Sequence, residues 1–399
     1  MQLSRDEEDI LDGKAGNAAA KSMKILAALG EIYGAKRLIP VTSVQVAGVS
    51  YENLGDAGLE YLAELAVDGR VKVLTTLNPA GMDLKDWRKL GIPDEFAVKQ
   101  KKVIDAFSRM GIVTSCTCTP YLAGNLPAFG EHVAWGESSA VTFVNSVIGA
   151  RTNREGGPSA LAAAIIGKTP EYGLHLSENR KPDVHVRVDA KITGLSDYGA
   201  LGYVIGKSAE GRIPYITGLG VIDVDSLKSF SASVVTFGAK PLFHIENVTP
   251  EARAFKQPLQ TIVIRQKELD DAYKALNDEG DVVDFVSLGC PHCSIKEIAE
   301  IADHLEGKKV NPKVELWVAT SRPIKVLSDE RGYTKVIEDA GGKFACDTCM
   351  VVAPIKGRFK SIATTSAKAC YYSRGRNAMK TKIGPMEKCI DAAVTGKWS

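Results

Sequence analysis

Short apolar runs alternate with amphipathic stretches along most of the chain. Ala18 to Leu29 reads as a helix and Lys36 to Val46 as a strand. A second helix is predicted over Leu54 to Val67, then a strand over Val71 to Leu77, a third helix over Ala97 to Met110 and a strand at Ile112-Val113-Thr114. The middle is richer in glycine, which breaks it into two shorter predicted helices, Ser139 to Val147 and Ser159 to Ile166. Residues 184–239 read as strand-rich through VHVRVDAKI, YITGLGVIDV and SASVVTFGA. In the last third, strands at Thr261 to Arg265, Val282 to Leu288, Lys313 to Ala319 and Lys343 to Ala345 alternate with helices at Lys267 to Leu276, Ile295 to Leu305 and Tyr333 to Ala340. A turn is placed at Ser321-Arg322-Pro323. Strands and helices alternating at these lengths predict βαβ units, hence an α/β fold with parallel sheets. The reading divides the chain into an N-terminal α/β lobe over residues 1–250, with a strand-rich insertion near 184–239, and a C-terminal α/β lobe over 251–399.

Composition narrows the class. The 399 residues are 45% hydrophobic, enough for a large core, and the net charge is only +2. That balance gives no reason to expect nucleic acid or an anionic membrane as partner. The acidic, polar start MQLSRDEEDILDG is unlike a secretory signal, and apolar stretches such as SALAAAIIG fall short of the roughly 20 residues that span a bilayer. A cytoplasmic protein is expected.

The eight cysteines change the picture. Six form close pairs, Cys116/Cys118, Cys290/Cys293 and Cys346/Cys349, and in a reducing compartment a disulfide framework is not expected. Each pair follows a predicted strand, and ligands bind at the carboxyl edge of a parallel sheet. Three chemistries remain open. Cys290-Pro-His-Cys293, opening a helix, suits thiol–disulfide exchange, because the positive helix end lowers a thiol pKa. Two C-x-x-C pairs suit zinc, although a zinc ribbon's gap is far shorter. Thiolates from distant segments also suit an iron–sulfur cluster. Simple packing accounts best for Cys370 and Cys389.

The segments SCTCTPYLAGNLPAFGEHVAWGESSAVTFVNSVIGARTNREGGPSAL, SLGCPHCSIKEI, FACDTCMVVAP and SAKACYYSRGR resemble the large subunit of aconitase X. GNAAAKSMKILAALGE, VAGVSYENLGDAGLEYL and TTLNPAGMD extend the resemblance over nearly the whole chain. It implies an aconitase-like fold, an iron–sulfur cluster of the 4Fe-4S type, which can also occur as 3Fe-4S, and a dehydration reaction. It implies Cys118, Cys290 and Cys349 as ligands, one per segment; analogy with ordinary aconitases offers Cys290 with Cys346 and Cys349 instead. The chain's end soon after ACYYSRGR resembles the separate-subunit type, which works with a small swivelling subunit. That type dehydrates mevalonate 5-phosphate, a small phosphorylated hydroxy acid, in isoprenoid synthesis. Relatives with the small domain fused include dehydratases of cis-3-hydroxy-L-proline. The catalytic base is expected on the small partner. A dehydratase of another hydroxy acid, and a non-catalytic cluster or zinc assembly subunit, stand as alternatives.

The substrate region is expected along Glu137, Ser138, Ser139 and Asn145 to Arg151, Thr152, Asn153 and Arg154. Arginines grip carboxylate or phosphate through forked hydrogen bonds, and the helix opened by Gly156-Gly157-Pro158-Ser159 presents free N–H groups to an anion. A solvated, ion-paired loop is the alternative. Asn78 and Asp83 follow a strand and can line the same crevice, although locally they read as an Asn-Pro turn. Ser366, Lys368 and Tyr371 add polar candidates. His132 and His244 are read as structural.

Overall fold

The computed structural model describes residues 1–399 and contains three parallel sheets, each with its own core. In the first, Ser43–Val46 lies between Leu74–Leu77 and Ala134–Trp135. The second has the order His244–Ile245, Pro214–Thr217, Val184–Val188, Thr261–Ile264. The third has five strands, ordered Lys343–Cys346, Glu315–Thr320, Phe285–Cys293, Ser361–Thr364, Lys380–Ile383. Its chain order reverses between Phe285–Cys293 and Ser361–Thr364, so a crevice opens at their carboxyl ends.

Local sequence explains the helices that leave these edges. Ser294 and Glu297 form a capping box for helix Ile295–Leu305, whose Ile298, Ile301, Ala302 and Leu305 recur at helical spacing and are buried. Glu137 caps Ser138–Phe143 with its own carboxylate, and Ser366 caps Ala367–Asn377 with its hydroxyl. All three helices start beside a cysteine-bearing segment.

A fourth core joins the first and third sheets. It packs Met82, Leu90, Ile92 and Ala97 against Phe285, Trp317, Cys290 and Cys349. Charge reinforces this junction. Arg322 reaches both Asp83, at 2.7 Å, and Asp347, while Asp83 also accepts the Cys346 N–H at 3.0 Å.

Several expected elements are corrected. SASVVTFGA is not a strand: it lies in helix Val224–Gly238, which packs on helix Leu195–Ser208. The region near 184–239 is therefore two strands and two helices. Ile112-Val113-Thr114 contributes one bridge, Thr76 to Val113, and no strand. The turn at Ser321-Arg322-Pro323 opens an additional helix, Arg322–Glu330, with proline in its first turn. The division at residue 250 cuts through the second unit, because Thr261–Ile264 pairs with Val184–Val188. No helix is long and apolar enough to cross a membrane.

Candidate active site

Cys118, Cys290 and Cys349 line one small cavity between the carboxyl edges of the first and third sheets. Asn78, from the end of the Leu74–Leu77 strand, closes another side, and its Oδ1 is buried without a hydrogen-bond partner. The wall carries one cation, Lys368, and one carboxylate, Glu137. Lys368 Nζ donates to Glu137 Oε1 at 2.5 Å and to Ser139 Oγ at 2.6 Å, with Ser138 Oγ at 3.4 Å.

Electrostatics bear on what the cavity accepts. Burial pushes the Cys290 thiol up to about 12 and raises Cys118 and Cys349 as well. Glu137 pushes all three further up, and Lys368 pulls all three back. Burial also works against the Lys368 charge, but Glu137 and Cys290 outweigh it and hold the ammonium above its ordinary range. Buried thiols of this kind ionise when a metal centre replaces their protons. No three His, Cys, Asp or Glu side chains are arranged around a single metal ion. Three thiols around one cavity are a donor set that suits a soft metal centre.

The other member of each pair faces elsewhere. Cys116 has φ of 43° and packs in the core of the first unit, whereas Cys293 packs in the core beside the third sheet. Cys346 lines a separate cleft with Arg322. Gly289, just before Cys290, has φ of 104°, and a Cβ there would sit 2.2 Å from the Ala319 carbonyl oxygen. Only glycine brings Cys290 to the edge by this path.

The expected substrate residues divide. Asn78, Glu137, Ser138, Ser139 and Lys368 gather at the cavity or its wall, whereas the Ser366 hydroxyl caps its own helix by accepting from the Ala369 N–H. The 151–154 segment does not join them. Arg151 donates to the His175 carbonyl at 3.1 Å and to Ser177 Oγ at 2.8 Å. Asn145 donates to the Thr152 and Pro241 carbonyls and accepts from Thr152 N–H and Arg180. The Thr152 hydroxyl donates to the Asn153 carbonyl, and the Asn153 amide bonds Tyr172 and Leu174. These side chains hold buried backbone in place, a use their composition does not reveal. Arg154 opens onto a different cleft with Tyr33 and Lys240. Tyr371 is half exposed on the outer face, His132 pairs with His175, and the His244 ring donates to the Arg180 carbonyl.

Sequence reasoning passed over Thr117 and His292. The Thr117 hydroxyl lies 3.0 Å from His292 Nδ1, and His292 Nε2 lies 2.9 Å from the Thr348 carbonyl oxygen. Burial pushes the imidazole down to about 4. The position of His292 inside C-P-H-C was the available signal.

The fold and the cavity define a class: a parallel α/β protein whose sheet edges converge on a thiol-lined site at a junction of units. Three family models match along the chain, described as the first, second and third domains of aconitase X, over residues 1–178, 182–274 and 283–395. The chain belongs to the aconitase X family. It is 50% identical to the phosphomevalonate dehydratase large subunit of Methanocaldococcus jannaschii, covering 98% of this chain and 99% of that one. It is 47% identical to the protein of the same name from Methanosarcina mazei, covering 100% and 98%. The solved aconitase X of Thermococcus kodakaraensis, in its holo-form, superposes with a TM-score of 0.91 at 46% identity, covering 98% of this chain and 100% of that one. Cis-3-hydroxy-L-proline dehydratase of Pseudomonas aeruginosa is more distant, at 33% identity, and the match covers 99% of this chain but 70% of that enzyme.

Proposed function

We propose that this chain is the large subunit of a cytoplasmic hydro-lyase that dehydrates mevalonate 5-phosphate to anhydromevalonate 5-phosphate, with Cys118, Cys290 and Cys349 holding an iron–sulfur cluster of the 4Fe-4S type. The observation that carries this reading is the cavity itself, where three thiols from three distant segments meet one buried ammonium. The similarity at 50% identity over nearly the full length supports the substrate. When bound, a cluster with three protein ligands supplies a Lewis-acidic iron that weakens the bond to the departing hydroxyl.

The chain's own residues do the rest. Lys368 offers a fixed positive charge to the substrate carboxylate, and Glu137 keeps that ammonium charged in a buried place. Asn78 Oδ1, which has no partner in the chain, accepts a hydrogen bond from the substrate hydroxyl. Ser138 and Ser139 hold the ammonium from its other side. Phe285, Trp317 and Met350 pack beside the thiols and keep bulk water from the chemistry. The proton leaves from the carbon next to the carboxylate to a base on a small swivelling partner subunit.

Reconstitution tests this. The full-length chain, loaded anaerobically, is combined with the small subunit from the same organism, and mevalonate 5-phosphate and cis-3-hydroxy-L-proline are offered side by side. Dehydration of the phosphate substrate is the expected outcome; none, with iron and acid-labile sulfide at full occupancy, rejects the assignment. Cys118→Ala is expected to lose the cluster and Cys346→Ala to retain it, read from the visible absorbance and the iron content.

A further inference from the structure

The three thiols come from segments about 170 and 60 residues apart in sequence, so something must hold those segments in register. One side chain touches all of them. His292 lies within the 290–293 segment, and its Nε2 is 2.9 Å from the Thr348 carbonyl oxygen, next to Cys349. A carbonyl only accepts, so the proton sits on Nε2 and Nδ1 is left as an acceptor. The Thr117 hydroxyl, next to Cys118, is 3.0 Å from Nδ1 and donates to it. Thr117 Oγ1 in turn accepts the Thr119 N–H at 3.2 Å. Thr117 Oγ1 also lies 3.1 Å from Thr119 Oγ1, where either hydroxyl can donate.

The backbone of the same residue adds two more ties. The His292 N–H donates to Cys118 Sγ at 3.2 Å. The His292 carbonyl accepts from Lys228 Nζ at 3.0 Å, and Lys228 is itself buried between Glu297 and Asp225. The peptide planes on both sides of His292 are thus held from outside the loop. The imidazole is fully buried, so each of these bonds is costly to leave unmade.

We propose that His292 is a positioning residue that clasps the 117–118, 290–293 and 348–349 segments together, so that the three thiols stand in register before a cluster binds. This rests on reading Cys118, Cys290 and Cys349 as the ligands, but the clasp predicts local order that exists with or without the cluster.

Three variants separate its arms. Glutamine places its amide nitrogen where Nε2 stands, keeping the bond to Thr348 and losing Thr117. Asparagine places its amide oxygen where Nδ1 stands, keeping Thr117 and losing Thr348. Leucine loses both. Amide hydrogen exchange is measured on the full-length chain, as purified anaerobically and again after the metal is stripped. His292→Gln is expected to open the segment around 117–119 alone, His292→Asn the segment around 348–350 alone, and His292→Leu both. In the loaded protein, the rate of iron release to a ferrous chelator is expected to rise roughly ten- to hundredfold in His292→Leu, and less in each amide variant. Thr117→Val should reproduce the exchange pattern of His292→Gln, which keeps the test usable if the leucine variant misfolds. Identical exchange patterns in the asparagine and glutamine variants would overturn the clasp, as would changes confined to 290–293. A chain that shows the segment-specific exchange yet takes up no iron and sulfide would leave the clasp standing and sink the ligand assignment instead.

Discussion

Lys368 and Glu137 are each buried, and each is the other's only opposite charge on the cavity wall. Removing one leaves the other uncompensated, which costs about 3–5 kcal/mol. Lys368→Met is therefore expected to lower the urea midpoint sharply and to cut kcat/KM about 10- to 100-fold in the reconstituted enzyme, as loss of a charge-assisted contact does. Glu137→Gln combined with Lys368→Met should be less destabilised than the sum of the singles; strictly additive midpoints would show that the pair is not coupled. At this scale the sequence spoke unevenly. The paired cysteines were legible from spacing, but not which thiol of each pair faces the cavity. That choice depends on single backbone angles: Cys116 at φ 43° turns into the first core, and Asp347 at φ 63° turns the chain between Cys346 and Cys349. L-residues adopt such angles rarely, and nothing in C-x-C or C-x-x-C announces them.

Helices Leu195–Ser208 and Val224–Gly238 touch through glycine, serine and alanine. A Cβ at Gly206 would meet the Gly238 nitrogen and the Val234 carbonyl oxygen at 2.9 Å, and one at Gly202 would meet Ser233 Cβ at 2.6 Å. Gly206→Val is expected to push the helices apart and cost at least about 1–3 kcal/mol. Gly375, in helix Ala367–Asn377, has open space where its Cβ would go, so Gly375→Ala should instead stabilise by about 0.4–1 kcal/mol. Paired urea titrations check the opposite signs, and a neutral Gly206→Val would show that the helices can separate at no cost. The same close packing explains why SASVVTFGA was misread. Eleven of the helix's fifteen residues are buried, so no polar face marks the helical period, and Val234, Val235 and Thr236 carry strand propensity. The helix after Ser294 was legible with its bounds and the one after Glu137 in part, whereas helix Ala367–Asn377 after Ser366 was not foreseen.

Across the whole molecule, alternating strands and helices sufficed to foresee parallel sheets with cysteines at their carboxyl edges, but not where one unit ends and the next begins. The Thr261–Ile264 strand returns to a sheet begun at Val184, and such a pairing depends on partners that linear order does not name. Packing at this scale also makes stability depend on pH. Burial holds His175 neutral down to about 3, with the charges of Arg151 and Arg180 and the neighbouring His132 acting in the same direction. In the unfolded chain a histidine titrates near 6.5. Between those values the unfolded state carries one proton more than the folded state, so stability is fully present above about 6.5 and is lost as the pH falls towards 3. The loss is at most roughly 1.4 kcal/mol per pH unit for this one group. His132, His185 and His244 are lowered by burial too and add to the slope. Their contributions remain in the variant His175→Asn, whose amide can still meet His132. Urea midpoints are compared between pH 7 and pH 4.5, and the difference between wild type and variant reports His175, because the buried carboxyls of Glu155, Glu297 and Asp347, raised by burial, are present in both. The wild-type midpoint should fall with acidification, and the variant should fall less steeply by about one proton's linkage. Superimposable slopes would mean that His175 gains its proton in the folded chain as readily as in the unfolded one, and that its burial does not resist charge.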